Sequence, residues 1–350
     1  MTHCLKQRLM VVAGESGGHV FPAVGFCQGV KDKFDITFIT TNLEKDAGWI
    51  PDEFRPEFLR IHKTVFGILE LILRSFSLIW RLRPRIVVCF GGFITIPFVI
   101  LARLSGAKVI IHEQNVIPGR ANRFLSFFAS KIAVSFEETK EFFKNNKKVF
   151  LTAYPLRSSL VRLDRQRAID FFGLDLGLFT ILVMGGSQGA RSINTRFLES
   201  IKTNRNLGRF QVIHLSGKSD YNSVLSAYQA LGLKSKVFDF LGEMNYAYSA
   251  ADLVVSRSGA GSVFEIMSFG LASILVPYPF AGAHQAENAR ILSQKGAALI
   301  LDDKNMSPVF INGLLDIFLE DNIRRKTMSA IASSIYGSSR NLKIEEVIAL

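Results

Sequence analysis

The sequence predicts an α/β protein made of two parallel-sheet domains, on three observations. Apolar, β-branched runs alternate with glycine-rich turns and amphipathic helices along the whole chain, the signature of parallel strands with helices on both faces. The series pauses near Tyr154-Pro155-Leu156-Arg157 and restarts with the same opening, a strand running into a glycine turn. With 350 residues, 48% of them hydrophobic, the chain is long enough for two cores.

Each element follows from local pattern. Leu9–Ala13 reads as a buried strand, Gly14-Glu15-Ser16-Gly17-Gly18-His19 as its turn, and Val20–Val30 as a helix with Pro22 in its first turn, where proline is tolerated. Further strands are predicted at Asp35–Thr40, Ile86–Phe90, Lys108–Ile111, Lys131–Val134 and Lys148–Thr152. Arg162–Phe172 reads as a helix. The second series has strands at Thr180–Met184, Phe210–Leu215, Lys236–Leu241, Asp252–Val255, Ser273–Val276 and Ala297–Leu301, with a helical tail over Ser307–Arg340. The domains are expected at 1–157 and 158–350, the last helix being a candidate to pack back on the first. Two such Rossmann-like halves are read as facing across a cleft, with ligands beyond the carboxyl ends of the strands.

Composition narrows the function. Net charge is +12, from 42 Lys and Arg against 30 Asp and Glu, which suits nucleic acid, an anionic membrane surface or a polyanionic substrate. No recognition-helix or stacking-sheet motif supports nucleic acid. Cys4, Cys27 and Cys89 are widely spaced, so neither a disulfide frame nor a zinc site is expected. The first apolar run stops at Gly14, and no signal peptide is expected. Ile86–Ala102 is uncharged but broken by Gly91-Gly92 and Pro97, and reads as strand, turn and helix rather than a span.

Several stretches point to chemistry. Arg257-Ser258-Gly259-Ala260-Gly261-Ser262-Val263-Phe264-Glu265 follows a short apolar strand. A glycine turn into a helix start is a generic phosphate site. Glu265 is placed either to accept both hydroxyls of a ribose or to close a capping box with Ser262. The His284-Gln285-Ala286-Glu287-Asn288 run adds hydrogen-bonding groups and favours a nucleotide-sugar pocket. In the first turn, Gly17 and Gly18 let a ligand approach the backbone. His19 is a candidate base, the alternative being a histidine that closes the turn or meets phosphate. The turn lacks the dinucleotide Gly-x-Gly-x-x-Gly pattern, which argues against a dehydrogenase. Gly91–Pro97 reads mainly as a tight connection. The polar run His112-Glu113-Gln114-Asn115, with Asn122 beyond, either holds loops together or meets a polar ligand, since such groups need partners. Gly185–Ala190 is a second anion-cradling turn. Val65–Arg85 carries more apolar residues than one buried stripe needs, and ends Arg81-Leu82-Arg83-Pro84-Arg85. It reads as a core helix, or as one with a second apolar face for an anionic membrane interface.

Taken in order and spacing, Gly14–Pro22, Gly91–Pro97, His112–Asn122, Gly185–Ala190, Arg257–Glu265 and Pro277–Asn288 resemble the MurG family of glycosyltransferases, family 28, over nearly the whole chain. The resemblance implies a GT-B fold of two Rossmann-like domains facing across a cleft. The first would carry acceptor and membrane contacts, and the second would hold the donor. It implies inverting, metal-independent transfer of N-acetylglucosamine from UDP-GlcNAc to the 4-hydroxyl of the muramoyl sugar of lipid I, giving lipid II for peptidoglycan. No cofactor and no nucleic acid are implied. The expected location is peripheral, at the cytoplasmic face of the inner membrane, with other cell-wall synthesis proteins as possible partners. By motif position, His19 would be the base and Ser16, Gly17 and Gly18 would meet diphosphate or acceptor. Asn115 would bond the donor sugar, while Arg157, Ser187 and Gln188 would hold uracil and phosphate. Glu265 would bind ribose, Gln285 and the Ala260 backbone would bind N-acetylglucosamine, and Glu113 and Asn122 would line the acceptor side. Two departures stand out: Glu15-Ser16 replaces the family's usual Gly-Thr, and Ala153-Tyr154-Pro155-Leu156-Arg157 replaces Gly-Asn-Pro-Val-Arg. A UDP-N-acetylglucosamine 2-epimerase, or a non-catalytic binder of nucleotide sugars disabled by Glu15, are the alternative readings.

Overall fold

Met10 and Val12 are buried in one apolar cluster, while Leu9 and Val11 are buried in another. This is the period-two alternation of a strand covered on both faces. In the computed structural model, described over residues 6–14, 16–41, 48–60, 62, 64–186, 189–279, 283–338 and 342–350, the chain forms two units. They are Met1–Ser158 with Ser339–Leu350, and Ser159–Ser338.

The first unit runs β1 (Gln7–Val12), α1 (Gly17–Val30), β2 (Phe34–Thr40), β3 (Pro56–Phe58), α2 (Val65–Leu82), β4 (Ile86–Cys89), α3 (Thr95–Leu104), β5 (Lys108–Glu113), α4 (Arg120–Leu125), β6 (Lys131–Val134) and β7 (Val149–Leu151). Its seven strands are ordered β3-β2-β1-β4-β5-β6-β7, and each recorded pairing is parallel. The order reverses between β1 and β4, which makes their carboxyl ends the switch point of the sheet. Strand β3 was not legible from pattern, because Pro56-Glu57-Phe58 is short and lacks alternation. As an edge strand it tolerates proline.

Helix α2 confirms the helical reading of Val65–Arg85. Thr64 Oγ1 caps it by accepting from Gly67 N–H at 3.1 Å. Leu71, Leu78 and Ile79 are buried in the sheet-facing cluster. A second stripe, with Leu69, Leu73 and Phe76, faces outward, and Phe66 is 85% and Trp80 67% exposed. Among the described residues, no helix is long and apolar enough to cross a membrane.

The second unit runs α5 (Arg165–Phe172), β8 (Phe179–Met184), α6 (Arg191–Ile201), β9 (Phe210–Leu215), α7 (Tyr221–Ala230), β10 (Ser235–Phe238), α8 (Met244–Ala250), β11 (Leu253–Ser256), α9 (Ala260–Ser268), β12 (Ala272–Leu275), α10 (His284–Gln294), β13 (Leu299–Ile300), α11 (Pro308–Glu320) and α12 (Asn322–Ser338). The strand order is β10-β9-β8-β11-β12-β13, with the switch point between β8 and β11. Ile181, Val183, Phe197, Val212, Leu253 and Phe318 are part of its core. The tail predicted as helical over Ser307–Arg340 holds two helices, α11 and α12, and a third follows it. The last, α13 (Ile344–Ala349), belongs to the first unit, where Ile344 and Ile348 join Leu9 and Val11.

Candidate active site

The two turns at the first switch point meet because their strands are neighbours, Val12 pairing with Cys89. Gly14 N–H donates to the Gly91 carbonyl at 3.2 Å. A Cβ on Gly92 would lie 2.9 Å from Gly14 Cα, and Gly91 and Gly92 adopt φ of +93° and +90°, a region hostile to other residues. Gly91–Pro97 is thus a backbone connection pressed against the first turn.

That pressing places His19. Its Nδ1 lies 2.9 Å from the Gly14 carbonyl oxygen. A carbonyl only accepts, so Nδ1 carries the proton and Nε2 carries the lone pair. Ser16 Oγ is 3.5 Å from the same Nδ1. The opposite edge of the ring faces Gly91, where a Cβ would come within 3.1 Å of Cδ2 and Nε2. Gly17 and Gly18 open α1, so their amides have no carbonyl one turn back in the helix. Ser16 makes no side-chain capping bond. Glu15 lies outside the described residues.

The polar run at the end of β5 behaves differently. His112 is fully buried, with Nε2 at 2.9 Å from Ser135 Oγ, and burial lowers its pKa to about 3. Gln114 Nε2 donates to the Phe90 carbonyl at 2.8 Å. Glu113 is 2% exposed. Its Oε1 accepts from Asn115 N–H at 3.0 Å and Asn115 Nδ2 at 3.3 Å, and its Oε2 from Gly119 N–H at 3.0 Å and Asn122 Nδ2 at 2.8 Å. Asn122 also donates to the His112 carbonyl at 3.1 Å. Glu113 and Asn122, expected to line the acceptor side, are buried and bond the loop that carries Asn115 and Gly119. Of this run only Asn115 is half-exposed.

Arg157 stacks over Phe21 of α1 at 4.5 Å, and Phe21 leans on Trp49 at 4.8 Å. The loop bearing Arg157 presses on the same helix, since a Cβ on Gly25 would lie 2.4 Å from the Pro155 carbonyl oxygen. The departure at Ala153-Tyr154 directly precedes this contact with α1, with Ala153 N–H donating to the Leu342 carbonyl at 2.7 Å.

In the second unit, the turn after β8 folds tightly: a Cβ on Gly185 would lie 2.1 Å from Ala190 N. Ser187 and Gln188 lie outside the described residues. The turn after β11 leads into α9, whose N-cap is Gly259 and whose first residue is Ala260. Ser262 is hence inside the first turn, not at the cap, and the capping-box alternative for Glu265 fails. Glu265 instead accepts from Tyr248 Oη at 2.8 Å. Ser258 Oγ donates to the Gln285 carbonyl at 2.8 Å and Asn288 Nδ2 to the Ser258 carbonyl at 3.1 Å, tying the start of α9 to that of α10. Gln285 Oε1 accepts from Tyr278 N–H at 3.0 Å.

Arg257 opened the predicted phosphate stretch without a role of its own, and the structure gives it one. It is 7% exposed and donates to Asp303 Oδ1 at 2.7 Å, to Ser192 Oγ at 2.6 Å and to the Val276 carbonyl at 3.2 Å. It thereby joins the ends of β11 and β12 to the start of α6. A charged residue directly after a buried strand was the available signal, because such a group must be paired. Among the described residues no group of three or more His, Cys, Asp and Glu could hold a metal ion.

Two doubly wound parallel sheets, each with glycine turns and helix starts at its switch point, are the architecture of a GT-B glycosyltransferase. Comparisons agree. Residues 9–134 match the glycosyltransferase family 28 N-terminal domain and residues 180–342 its C-terminal domain. Over 347 residues the chain is 33% identical to the UDP-N-acetylglucosamine--N-acetylmuramyl-(pentapeptide) pyrophosphoryl-undecaprenol N-acetylglucosamine transferase of Desulforamulus reducens, with 92% of each covered. The crystal structure of Acinetobacter baumannii MurG is 26% identical, with a TM-score of 0.74, 98% of this chain and 99% of that one covered. A UDP-GlcNAc 2-epimerase from Neisseria meningitidis aligns with a TM-score of 0.71 over 98% of this chain and 100% of its own, at 14% identity, a likeness of fold alone. The chain belongs to glycosyltransferase family 28 and, within it, to the MurG family.

Proposed function

We propose that this protein transfers N-acetylglucosamine from UDP-GlcNAc to the 4-hydroxyl of the muramoyl sugar of lipid I, giving lipid II. The observation that carries the mechanism is the bond from His19 Nδ1–H to the Gly14 carbonyl. It leaves the basic nitrogen, Nε2, to take the acceptor proton as the hydroxyl oxygen attacks the anomeric carbon. The new C–O bond forms as the bond to the diphosphate breaks, from the opposite side, so the centre inverts. UDP leaves with the bonding electrons. The chemistry divides between the units: base and acceptor turn in the first, donor contacts mainly in the second.

The contacts are assigned by motif position. Ser16 and the amides of Gly17 and Gly18 meet diphosphate or acceptor at the start of α1. Asn115, the half-exposed member of its run, bonds the donor sugar, on a loop shaped by Glu113 and Asn122. Arg157 with Ser187 and Gln188 takes the uracil and phosphate side. Glu265 takes the ribose. Gln285 and the Ala260 backbone take the N-acetylglucosamine. Helix starts at Ala260 and His284 favour the negative charge that develops on the leaving group, and the reaction on this reading needs no metal.

The outward stripe of α2 supports a seat on the membrane at the cytoplasmic face. Phe66, Phe76 and Trp80 are exposed, and Arg83 lies over Trp80 at 5.7 Å. An apolar stripe edged by arginine is suited to an anionic interface. Phe66→Ser with Trp80→Ser should lower binding to phosphatidylglycerol vesicles on the order of tenfold, while turnover on a water-soluble, short-chain acceptor persists. Unchanged vesicle binding would refute the seat.

The deciding assay is transfer of labelled N-acetylglucosamine to a short-chain lipid I analogue with chelator present. Disaccharide product is the expected result. Donor consumed with a free sugar released and no acceptor modified would overturn the reading in favour of epimerisation. Product that vanishes with chelator and returns with a divalent cation would overturn metal independence alone.

A further inference from the structure

Glu265 has a partner that the transfer scheme leaves unused. Tyr248 of α8 donates its hydroxyl to Glu265 Oε2 at 2.8 Å. Its ring is 1% exposed and leans on Phe269 at 5.1 Å. The same hydroxyl lies 3.6 Å from Met184 Sδ, at the end of β8. A buried tyrosine hydroxyl needs a hydrogen-bond partner. A thioether is a weak acceptor and a carboxylate a strong one, so the carboxylate decides where the hydroxyl points.

The bond acts in the other direction too. A half-exposed glutamate on a helix samples several rotamers, and binding a ligand then means ordering it first. Anchored by a side chain that is itself locked in the core, the Glu265 carboxylate keeps one orientation before any ligand arrives. A carboxylate offers about four acceptor sites, so one bond from tyrosine is compatible with bonds from two neighbouring hydroxyls. Glu265 lies beyond the capping-box position of α9, whose N-cap is Gly259.

The structure assigns Tyr248 as a positioning residue that fixes Glu265 for a vicinal diol and so makes the donor site selective for ribonucleotide over deoxyribonucleotide sugars. This rests on the reading of Glu265 as the ribose contact, and the test separates the two. Steady-state kcat and KM are measured for UDP-GlcNAc and for its 2′-deoxyuridine counterpart, with saturating short-chain lipid I analogue, on wild type, Tyr248→Phe and Glu265→Gln. Wild type is expected to prefer the ribonucleotide donor on the order of tenfold to a hundredfold, as for one lost hydrogen bond to a charged group. Glu265→Gln should remove most of that preference. Tyr248→Phe should raise the KM for UDP-GlcNAc roughly fivefold, move kcat little, keep Tm near wild type and shrink the preference toward that of Glu265→Gln. A tyrosine that only ties α8 to α9 would lower Tm and leave the preference intact; that result overturns the assignment. Absence of any preference in wild type, or full preference in Glu265→Gln, overturns the ribose reading beneath it. If Tyr248→Phe does not fold, Tyr248→His, which keeps a ring donor on that side, takes its place. The preference should then be retained, and its loss to the level of Glu265→Gln would overturn the assignment.

Discussion

The turn Gly14–His19 and the run His112–Asn122 are both polar stretches that leave a parallel strand at its carboxyl end, and they do opposite things. In the run at the end of β5, His112, Glu113, Gln114 and Asn122 are buried and bond the surrounding loop. In the turn after β1, His19 is half-buried, with one ring nitrogen held by a carbonyl and a lone pair on the other. The difference lies less in residue type than in what each polar atom already bonds. A histidine whose surroundings strip water from it is held neutral, whereas one whose Nδ1–H meets a backbone carbonyl has its tautomer set with the lone pair on Nε2.

The largest expected effect tests that contrast at its centre. His19→Ala should lower kcat about 10²- to 10⁴-fold, the range of a positioned acid–base group, while UDP affinity measured by calorimetry stays near wild type. Equal loss of both would return His19 to a turn-closing role. Gly91→Ala comes next. The new Cβ would meet the imidazole at 3.1 Å, in a backbone conformation that costs a non-glycine residue about 1–3 kcal/mol. Turnover should fall roughly tenfold to a hundredfold, as for a small displacement of a reacting group, with donor KM little changed. A Gly91→Ala enzyme with wild-type kcat would show that the ring is not held where the structure puts it.

The other side of the comparison predicts loss of stability before loss of chemistry. In Glu113→Gln an amide NH2 replaces one carboxylate oxygen and faces either Asn115 N–H and Nδ2 or Gly119 N–H and Asn122 Nδ2, donor against donor. Leaving buried groups without partners costs about 1–3 kcal/mol. The first unit's Tm should drop several degrees, at roughly 2–4 °C per kcal/mol, with a smaller fall in kcat than for His19→Ala. A Glu113→Gln protein with unchanged Tm and a His19→Ala-like kcat would break the contrast, because the carboxylate would then be acting on substrate.

This contrast also explains what could be read from sequence. Strands such as Lys131–Val134 and Phe210–Leu215 were legible to the residue, because short, mainly apolar runs bounded by turns have few alternatives. The edge strand Pro56–Phe58 was not, since its pairing with Phe38–Thr40 comes from the neighbour rather than from its own pattern. His19 was legible as a candidate because a glycine turn precedes it. Its tautomer was not, because that depends on the Gly14 carbonyl and on a second turn some seventy positions on. The bonding of Glu113 was not legible for the same reason: residue type announces a hydrogen-bonding group, and only the fold says which donors reach it. Tyr248 left no trace, as a tyrosine in the short mixed run Met244–Ala250 looks like core, and by its ring it is.

The smallest predicted effect is a pH dependence carried by histidines that take no part in catalysis. His112 in the first unit and His214 in the second are both wholly buried, and burial lowers each pKa to about 3. His214 also bonds Tyr228 Oη at 2.7 Å and Asn194 Oδ1 at 3.0 Å, and burial is what favours its neutral form. An unfolded chain binds the proton near 6.5. The folded pKa is thus the depressed one, and the stability tied to the neutral ring is fully present above about pH 6.5. It is lost progressively as pH falls toward 3, at up to about 1.4 kcal/mol per pH unit for each histidine. Between about pH 5 and 7 few ordinary carboxylates titrate, so this window isolates the histidines. Thermal melts across it should show a midpoint that falls as pH falls. His112→Gln, whose amide can still reach Ser135, should flatten the slope of the first unit and leave that of the second. A wild-type midpoint that stays level from pH 7 to pH 5 would mean that these rings accept protons in the folded state, and the division between structural and catalytic histidines would have to be redrawn.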